Sequence, residues 1–189
     1  MPNPSSQMAR PARIDLRVFQ QELAARLAST TAAQVESSRL GLACGGERWL
    51  IRLADAAEVV AVPPLAEVPL TQHWFLGLAN IRGNLYTVVD FAGFLGREAV
   101  VPRGSGGQSR YGSQSRLILF GPRAGDFNAG IVVQSVLGLR NVSELTAAPP
   151  VANAASWYGQ RWLDSVGEAW QEFDLIRLAA DPAFLRVGL

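Results

Sequence analysis

The hydrophobic pattern changes period once along the chain. In "IDLRVFQQELAARLAST", Leu16, Phe19, Leu23 and Leu27 fall three or four apart, which lines one face of a helix. Asp15 near its start suits the positive helix end. From Ser38 the spacing shortens to that of strands. "SRLGLAC" and "RWLIRL" are β-rich and flank "GGE", which predicts a hairpin. "AEVVAV" predicts a third strand, stopped by Pro63-Pro64 because proline cannot donate to a ladder. "WFLGLANIR" and "LYTVVDF" flank Gly83-Asn84, a pair that adopts positive φ at little cost, and predict a second hairpin. Both of its strands are apolar enough to be buried on one face and partly covered on the other. "FAGFLG" predicts a helical turn ending at Gly96.

Residues 97–115, "REAVVPRGSGGQSRYGSQS", hold no sustained period and read as a flexible loop. Strands resume at "RLILF" and, after a Gly/Pro/Asp turn cluster, at "FNAGIVVQSVLGL". "VSELTAAPPVANAAS" reads as a connection with little β character. "WYGQRWLDSV" and "EAWQEFDLIRL", one glycine apart, predict another hairpin. In "DPAFLRV", Asp181 caps and Pro182 fits the first turn of a short C-terminal helix. Many short strands with helices mostly at the ends argue for a mainly β fold of small barrels rather than a βαβ scaffold. The strands fall into two groups on either side of the 97–115 loop, which suggests two barrels. The expected organisation is a polar tail and amphipathic helix over 1–35, then a β domain over 36–189.

Composition narrows the function. Hydrophobic residues make up 49% of the 189 and charged residues 17%, as in a globular domain with a real core. All 17 basic residues are arginine, yet they offset 16 acids and form no block. Phosphate binding wants a concentrated basic face, so nucleic acid is not an expected partner. A single cysteine, Cys44, leaves no internal disulfide or cysteine-based metal cage. "MPNPSSQMARPAR" has no apolar core of a secretory signal. "WFLGLANI" falls far short of the ~20 residues that span a bilayer. A soluble, cytoplasmic protein is expected.

Candidate chemistry is sparse. The one histidine, His73, rules out H-E-x-x-H, and no G-x-S-x-G elbow offers it a serine. "GSGGQS" lacks the Lys-Ser/Thr ending of a phosphate loop and lies in low-complexity sequence. Cys44 has Arg48 nearby, a placement that lowers a thiol pKa where geometry allows. Asp90, Asp126, Glu144, Asp164 and Glu168 are scattered over turns and strand ends. Neither a catalytic set nor a cofactor or metal site is expected. The residue that stands out is Arg82, a single full charge beside the tip of an apolar hairpin. Two readings are open: it merely snorkels or pairs with Glu58 or Asp90 inside the fold, or it protrudes at a partner surface, where arginine is enriched among hot spots.

"FLGLANIRGNLYTVVDFAGFLG", residues 75–96, resembles the signature of CheW-like adaptor domains. That signature runs Gly-hydrophobic-x-Asn-hydrophobic-Arg-Gly and then a β-rich run ending in Asp. Gly77, Asn80, Ile81, Arg82, Gly83, Val88, Val89 and Asp90 stand in those places. Upstream, "AAEVV" with Glu58 looks like the family's short acidic-hydrophobic element, and "RLILF…AGIVVQSVLGL" resembles the strand pair opening its second subdomain. The likeness spans roughly residues 38–178. The N-terminal helix, "TQHWFLGLANIRG" and the "EAWQEFDLIRLAADPAFL" ending resemble the PilI branch, the adaptors of twitching-motility systems. Two positions depart from the family pattern: Thr87 stands where proline is usual, and Gln134 follows Val133 where aspartate is usual.

The resemblance implies two small five-stranded β-barrels and no catalysis or cofactor. It implies partners too: the cytoplasmic tip of a methyl-accepting chemotaxis receptor and the regulatory domain of a CheA-type histidine kinase. Arg82, Gly83, Asn80, Glu58, Gly77, Ile81 and Asp90 are the partner-binding residues it points to. A flagellar-type adaptor of the same family and a β-barrel enzyme are the alternatives.

Overall fold

The structure is a computed structural model that describes residues 36–98, 112–125 and 127–189. The predicted amphipathic helix and most of the 97–115 loop lie outside the described residues, as does Asp126. Val35–Leu189 forms one compact unit. Its strands are β1 (Ser38–Cys44), β2 (Glu47–Arg52), β3 (Ala56–Ala61), β4 (Phe75–Ile81), β5 (Asn84–Asp90), β6 (Arg116–Phe120), β7 (Ala129–Val133), β8 (Ser135–Asn141), β9 (Thr146–Ala148), β10 (Tyr158–Leu163) and β11 (Ala169–Phe173). The short helix α1 (Phe91–Phe94) follows β5, and α2 (Leu175–Ala179) and then α3 (Pro182–Leu185) follow β11.

The strands make two sheets, as expected for a mainly β protein of two subdomains. One has six strands in the order β8-β1-β2-β11-β10-β9, and the other five in the order β3-β6-β7-β5-β4. The sixth strand is β9, three residues inside the stretch expected to lack β character. Another difference is larger. Both sheets draw strands from both sides of the 97–115 loop, so that loop does not divide them. The chain crosses between the sheets after β2 and again between β7 and β8.

The second crossing splits what reads in sequence as one strand. β7 ends at Val133 and β8 starts at Ser135 in the other sheet. Gln134 between them is exposed and donates its backbone N–H to Ala43 O at 3.1 Å.

Alternation explains why the five-stranded sheet reads as near-continuous apolar sequence. Ala79, Val88, Leu117, Leu119 and Val132 pack on one face, joined by Val60, Ile81 and Tyr86. Their neighbours Val89, Ile118, Ile131 and Val133 point the other way. There they share a larger core with Leu40, Leu42, Trp49 and Ile51 of the six-stranded sheet. Successive strand residues face opposite sides, so a sheet covered on both must be apolar at nearly every position.

Aromatic rings fasten the shared core. Trp49 is fully buried, with Phe91 and Phe173 at 5.3 and 5.6 Å between centroids, and those two stack on each other at 4.7 Å. Because Phe91 opens α1 directly after β5, this cluster anchors the base of the β4–β5 hairpin.

Turn and cap chemistry sets the local boundaries. Gly45 and Gly46, both at positive φ, close β1 onto β2 in a two-residue turn. At the C-terminal end Asp181 Oδ1 accepts from Ala183 N at 2.7 Å, with Pro182 in the first turn as the sequence predicts. The "DLIRL" segment departs from its expected strand. Asp174 Oδ1 accepts from Ile176 N and Arg177 N, and that cap turns the chain into α2.

Candidate protein-interaction surface

The β4–β5 hairpin pairs Ile81 with Asn84, which leaves Arg82 and Gly83 as the two central turn residues. The turn therefore sits one residue earlier than the Gly83-Asn84 expectation. Both central residues have positive φ, 51° for Arg82 and 85° for Gly83, as a type I′ hairpin turn demands. Asn80 steadies the turn, since its Oδ1 accepts from Gly83 N at 2.9 Å.

This conformation lifts the Arg82 side chain off the sheet. It is 76% exposed, and its Nη2 donates to Glu58 Oε1 at 2.7 Å. Glu58 lies on β3, the far edge of the same sheet, with its side chain 34% exposed. A flat five-stranded sheet would hold its edges about 19 Å apart. The ion pair therefore marks a sheet curled until its edges approach. Glu58 pairs with Leu119, and Val60 with Leu117, so Glu58 sits on the inner face near the mouth of that curl. Arg82 does pair with a carboxylate, then, but outside the fold.

The sequence-derived residues divide by position. Arg82, Gly83 and Asn80 are exposed and Glu58 is partly so, and these four lie together at the hairpin tip. Ile81 is half-buried and packs on the inner cluster, which plugs the mouth beneath the tip. Gly77 and Asp90 do not join the patch. Gly77 is buried at φ 124°, and a Cβ there would lie 2.1 Å from Ala66 O. Its role is to let the 66–67 segment lie on β4, where Ala66 and Leu78 exchange backbone hydrogen bonds. Asp90 is 1% exposed and caps α1, accepting from Gly93 N at 3.2 Å.

Sequence reasoning missed Leu85, which is 59% exposed and paired in register with Asn80. The signal was present: Leu85, Thr87 and Val89 alternate onto one face, and Leu85 is the member nearest the tip. Thr87 also gains a reading. Its N–H and Oγ1 both donate to Asn128 O, at 2.9 and 3.1 Å, and a proline there would supply neither.

The remaining chemical candidates are placed in ordinary structural roles. Cys44 is fully buried, and burial, aided by the Asp90 charge, pushes its thiol up to about 12. Arg48 does not activate it. A His73 ring nitrogen lies 3.2 Å from Gly93 O. Among the described residues no group of three or more His, Cys, Asp or Glu is arranged to hold a metal ion. No helix among them is long and apolar enough to cross a membrane.

This is the fold and hairpin of a CheW-like domain. The profile of the family described as "CheW-like domain" matches residues 39–179, and the chain belongs to that family. The chain is similar to Protein PilI of Pseudomonas aeruginosa, with 28% identity over 173 residues that cover 87% of this chain and 89% of that protein. It is also similar to Protein FrzA of Myxococcus xanthus, with 30% identity over 96 residues, 51% of this chain and 53% of that one. Among solved structures, the scaffolding protein TtCheW from Thermoanaerobacter tengcongensis shares the fold. That likeness has a TM-score of 0.54 and 19% identity, and covers 73% of this chain and 88% of that one.

Proposed function

We propose that this chain is a non-catalytic adaptor of a chemotaxis-like pathway. It couples methyl-accepting receptors to a CheA-type histidine kinase in the control of type IV pilus twitching, and it works in the cytoplasm at membrane-associated receptor arrays. Family membership and the near-full-length similarity to PilI support this reading.

The observation that carries it is the choice of residue at position 82. A non-glycine residue in the left-handed region costs roughly 1–2 kcal/mol. A single exposed ion pair returns only about 0–1 kcal/mol. Asn-Gly or Gly-Gly would make this turn at lower cost. Arginine is therefore a poor choice for stability, and a good one for meeting a partner.

The receptor's helical hairpin meets the tip formed by Arg82, Gly83, Asn80 and Glu58. The kinase's regulatory domain takes other strand edges and loops. Each contact buries a standard patch of about 800 Å² per partner at most. Modest contacts of that size are multiplied by avidity in an array.

The test is a charge swap, read by binding of the purified receptor cytoplasmic fragment. Arg82→Glu should weaken binding at least about tenfold, a loss of ~1.4 kcal/mol. Adding Glu58→Arg restores an internal pair of reversed polarity and should not restore binding. Receptor affinity unchanged in Arg82→Glu would refute the reading.

A further inference from the structure

A second surface lies on the six-stranded sheet, built from none of the hairpin-tip residues. A groove of about 690 Å³ opens there between the β1–β2 turn, the start of β2, strands β10 and β11, and Arg97 beyond α1. Clefts of 300–1,000 Å³ are typical of ligand-sized sites. This one is open to solvent on one side, which suits a chain segment lying across it better than an enclosed small molecule.

Three guanidinium groups line it, those of Arg48, Arg97 and Arg161. Only two carboxylates face them. Glu168 pairs with Arg48, and Glu47 pairs with Arg97 at 2.8 Å. Both pairs are exposed, with side-chain exposures of 39–54%, so a competing anion can replace either carboxylate at small cost. Arg161 has no carboxylate partner among the described residues.

Two further features point to a polypeptide. Gln171 is 8% exposed and lines the groove. Its amide nitrogen is committed to Gly159 O and Glu172 O, while its Oε1 is buried without a hydrogen-bond partner among the described residues. A buried acceptor left unmatched is unusual and costly; it is sealed beneath the surface, so a bound segment's N–H reaches it only with a shift of the Gln171 side chain. The wall also carries small apolar side chains, Ala43, Ala169 and the 43%-exposed Val151. Cationic and small apolar side chains thus line the same groove.

We propose that this groove docks an acidic segment of a partner protein, one that alternates carboxylates with small apolar residues. The carboxylates engage Arg97 and Arg161 and the apolar residues lie against Val151 and Ala169. The inference stands apart from the receptor-hairpin reading, and its controls separate the two.

The test uses the full chain and a fluorescein-labelled peptide of alternating glutamate and alanine, followed by anisotropy. A glutamine–alanine peptide and inorganic phosphate serve as comparisons. The glutamate peptide should bind saturably and weaken about tenfold between about 50 and about 200 mM salt as screening rises. The glutamine peptide should not bind. Arg97→Glu with Arg161→Glu should reduce affinity at least about tenfold with an unchanged melting temperature, since both side chains are exposed. Arg82→Ala should leave peptide affinity as it was. Equal binding of the glutamine peptide, an unaffected double variant, or absence of binding would each overturn the proposal. So would displacement by phosphate at concentrations comparable to the peptide's, which would make this a small-anion site.

Discussion

Two arginine–glutamate pairs of identical length occupy opposite environments in this chain. Arg39 Nε lies 2.7 Å from Glu172 Oε1, with the two side chains 11% and 10% exposed. Arg82 Nη2 lies 2.7 Å from Glu58 Oε1, with 76% and 34% exposed. The first pair is embedded in further bonds. Trp162 Nε1 donates to the second oxygen of Glu172 at 3.1 Å, and Arg39 Nη1 donates to Glu36 O at 2.7 Å. The second pair faces water, which competes for every donor and acceptor. Distance alone does not distinguish a structural element from an available one. Environment does: the buried pair cannot be halved without leaving a charge stranded, while the exposed pair can trade partners freely.

The comparison breaks first at Glu172. Glu172→Leu leaves the Arg39 guanidinium buried without its counter-charge and should cost about 3–5 kcal/mol. In a domain of this size each kcal/mol shifts the melting temperature by roughly 2–4 °C. A fall on the order of 10 °C in a thermal melt is expected, with any binding defect following from unfolding. A shift near zero would put the two pairs in one class.

Asp55 supplies an intermediate case. It is 1% exposed, neither carboxylate oxygen has a hydrogen-bond partner among the described residues, and the half-exposed Arg123 guanidinium lies 3.3 Å from Oδ1. Burial raises its pKa above the usual carboxylate value, opposed in part by Arg123 and Arg52. A raised acid binds its proton more tightly when folded. Its contribution to stability therefore improves as pH falls through the raised value toward the ordinary range near pH 4, and worsens as pH rises. Measured against Asp55→Asn, the wild-type melting temperature should gain as pH drops from 7 toward 4. A difference independent of pH would place this acid with the solvent-matched ones.

At the exposed pair the effect on the fold should be smallest. Glu58→Ala should change stability by no more than about 1 kcal/mol, read from urea denaturation with an unchanged slope. A larger loss would show that the pair holds the curled sheet closed.

The sequence disclosed the local chemistry better than the long-range pairing. The Gly45-Gly46 turn and the Asp181-Pro182 cap were legible because each depends on residues next to one another. The crossing at Gln134 was not, since an apolar run looks the same whether it continues in one sheet or changes sheets; β7 is buried throughout, while the apolar residues of β8 are half-buried or exposed. α2 was hidden for a similar reason. "DLIRL" is too short to show a helical period and continues the apolar run of β11, and the Asp174 side chain on two backbone N–H groups turns it into a helix.

At the candidate site, the Asn-x-Arg-Gly pattern pointed to this hairpin but ranked its residues equally. Gly77 and Asp90 earn their places by packing and capping, which a motif cannot separate from contact. Leu85 was overlooked because an isolated leucine in a strand reads as core until its distance from the core is known. The position of the turn was off by one because Gly-Asn is a better intrinsic turn pair than Arg-Gly. That misjudgement is informative: the chain accepts the poorer pair where it sets the arginine outermost.

The most direct measurement is therefore Arg82→Asn, assayed for thermal stability and for affinity to the receptor's cytoplasmic hairpin on the same preparation. Asparagine adopts positive φ more readily than arginine. The melting temperature should hold or rise, while affinity should fall at least about tenfold as a hot-spot arginine is lost. A lower melting temperature with undiminished receptor binding would contradict the account, and would make the Arg82–Glu58 pair a structural element like the buried one.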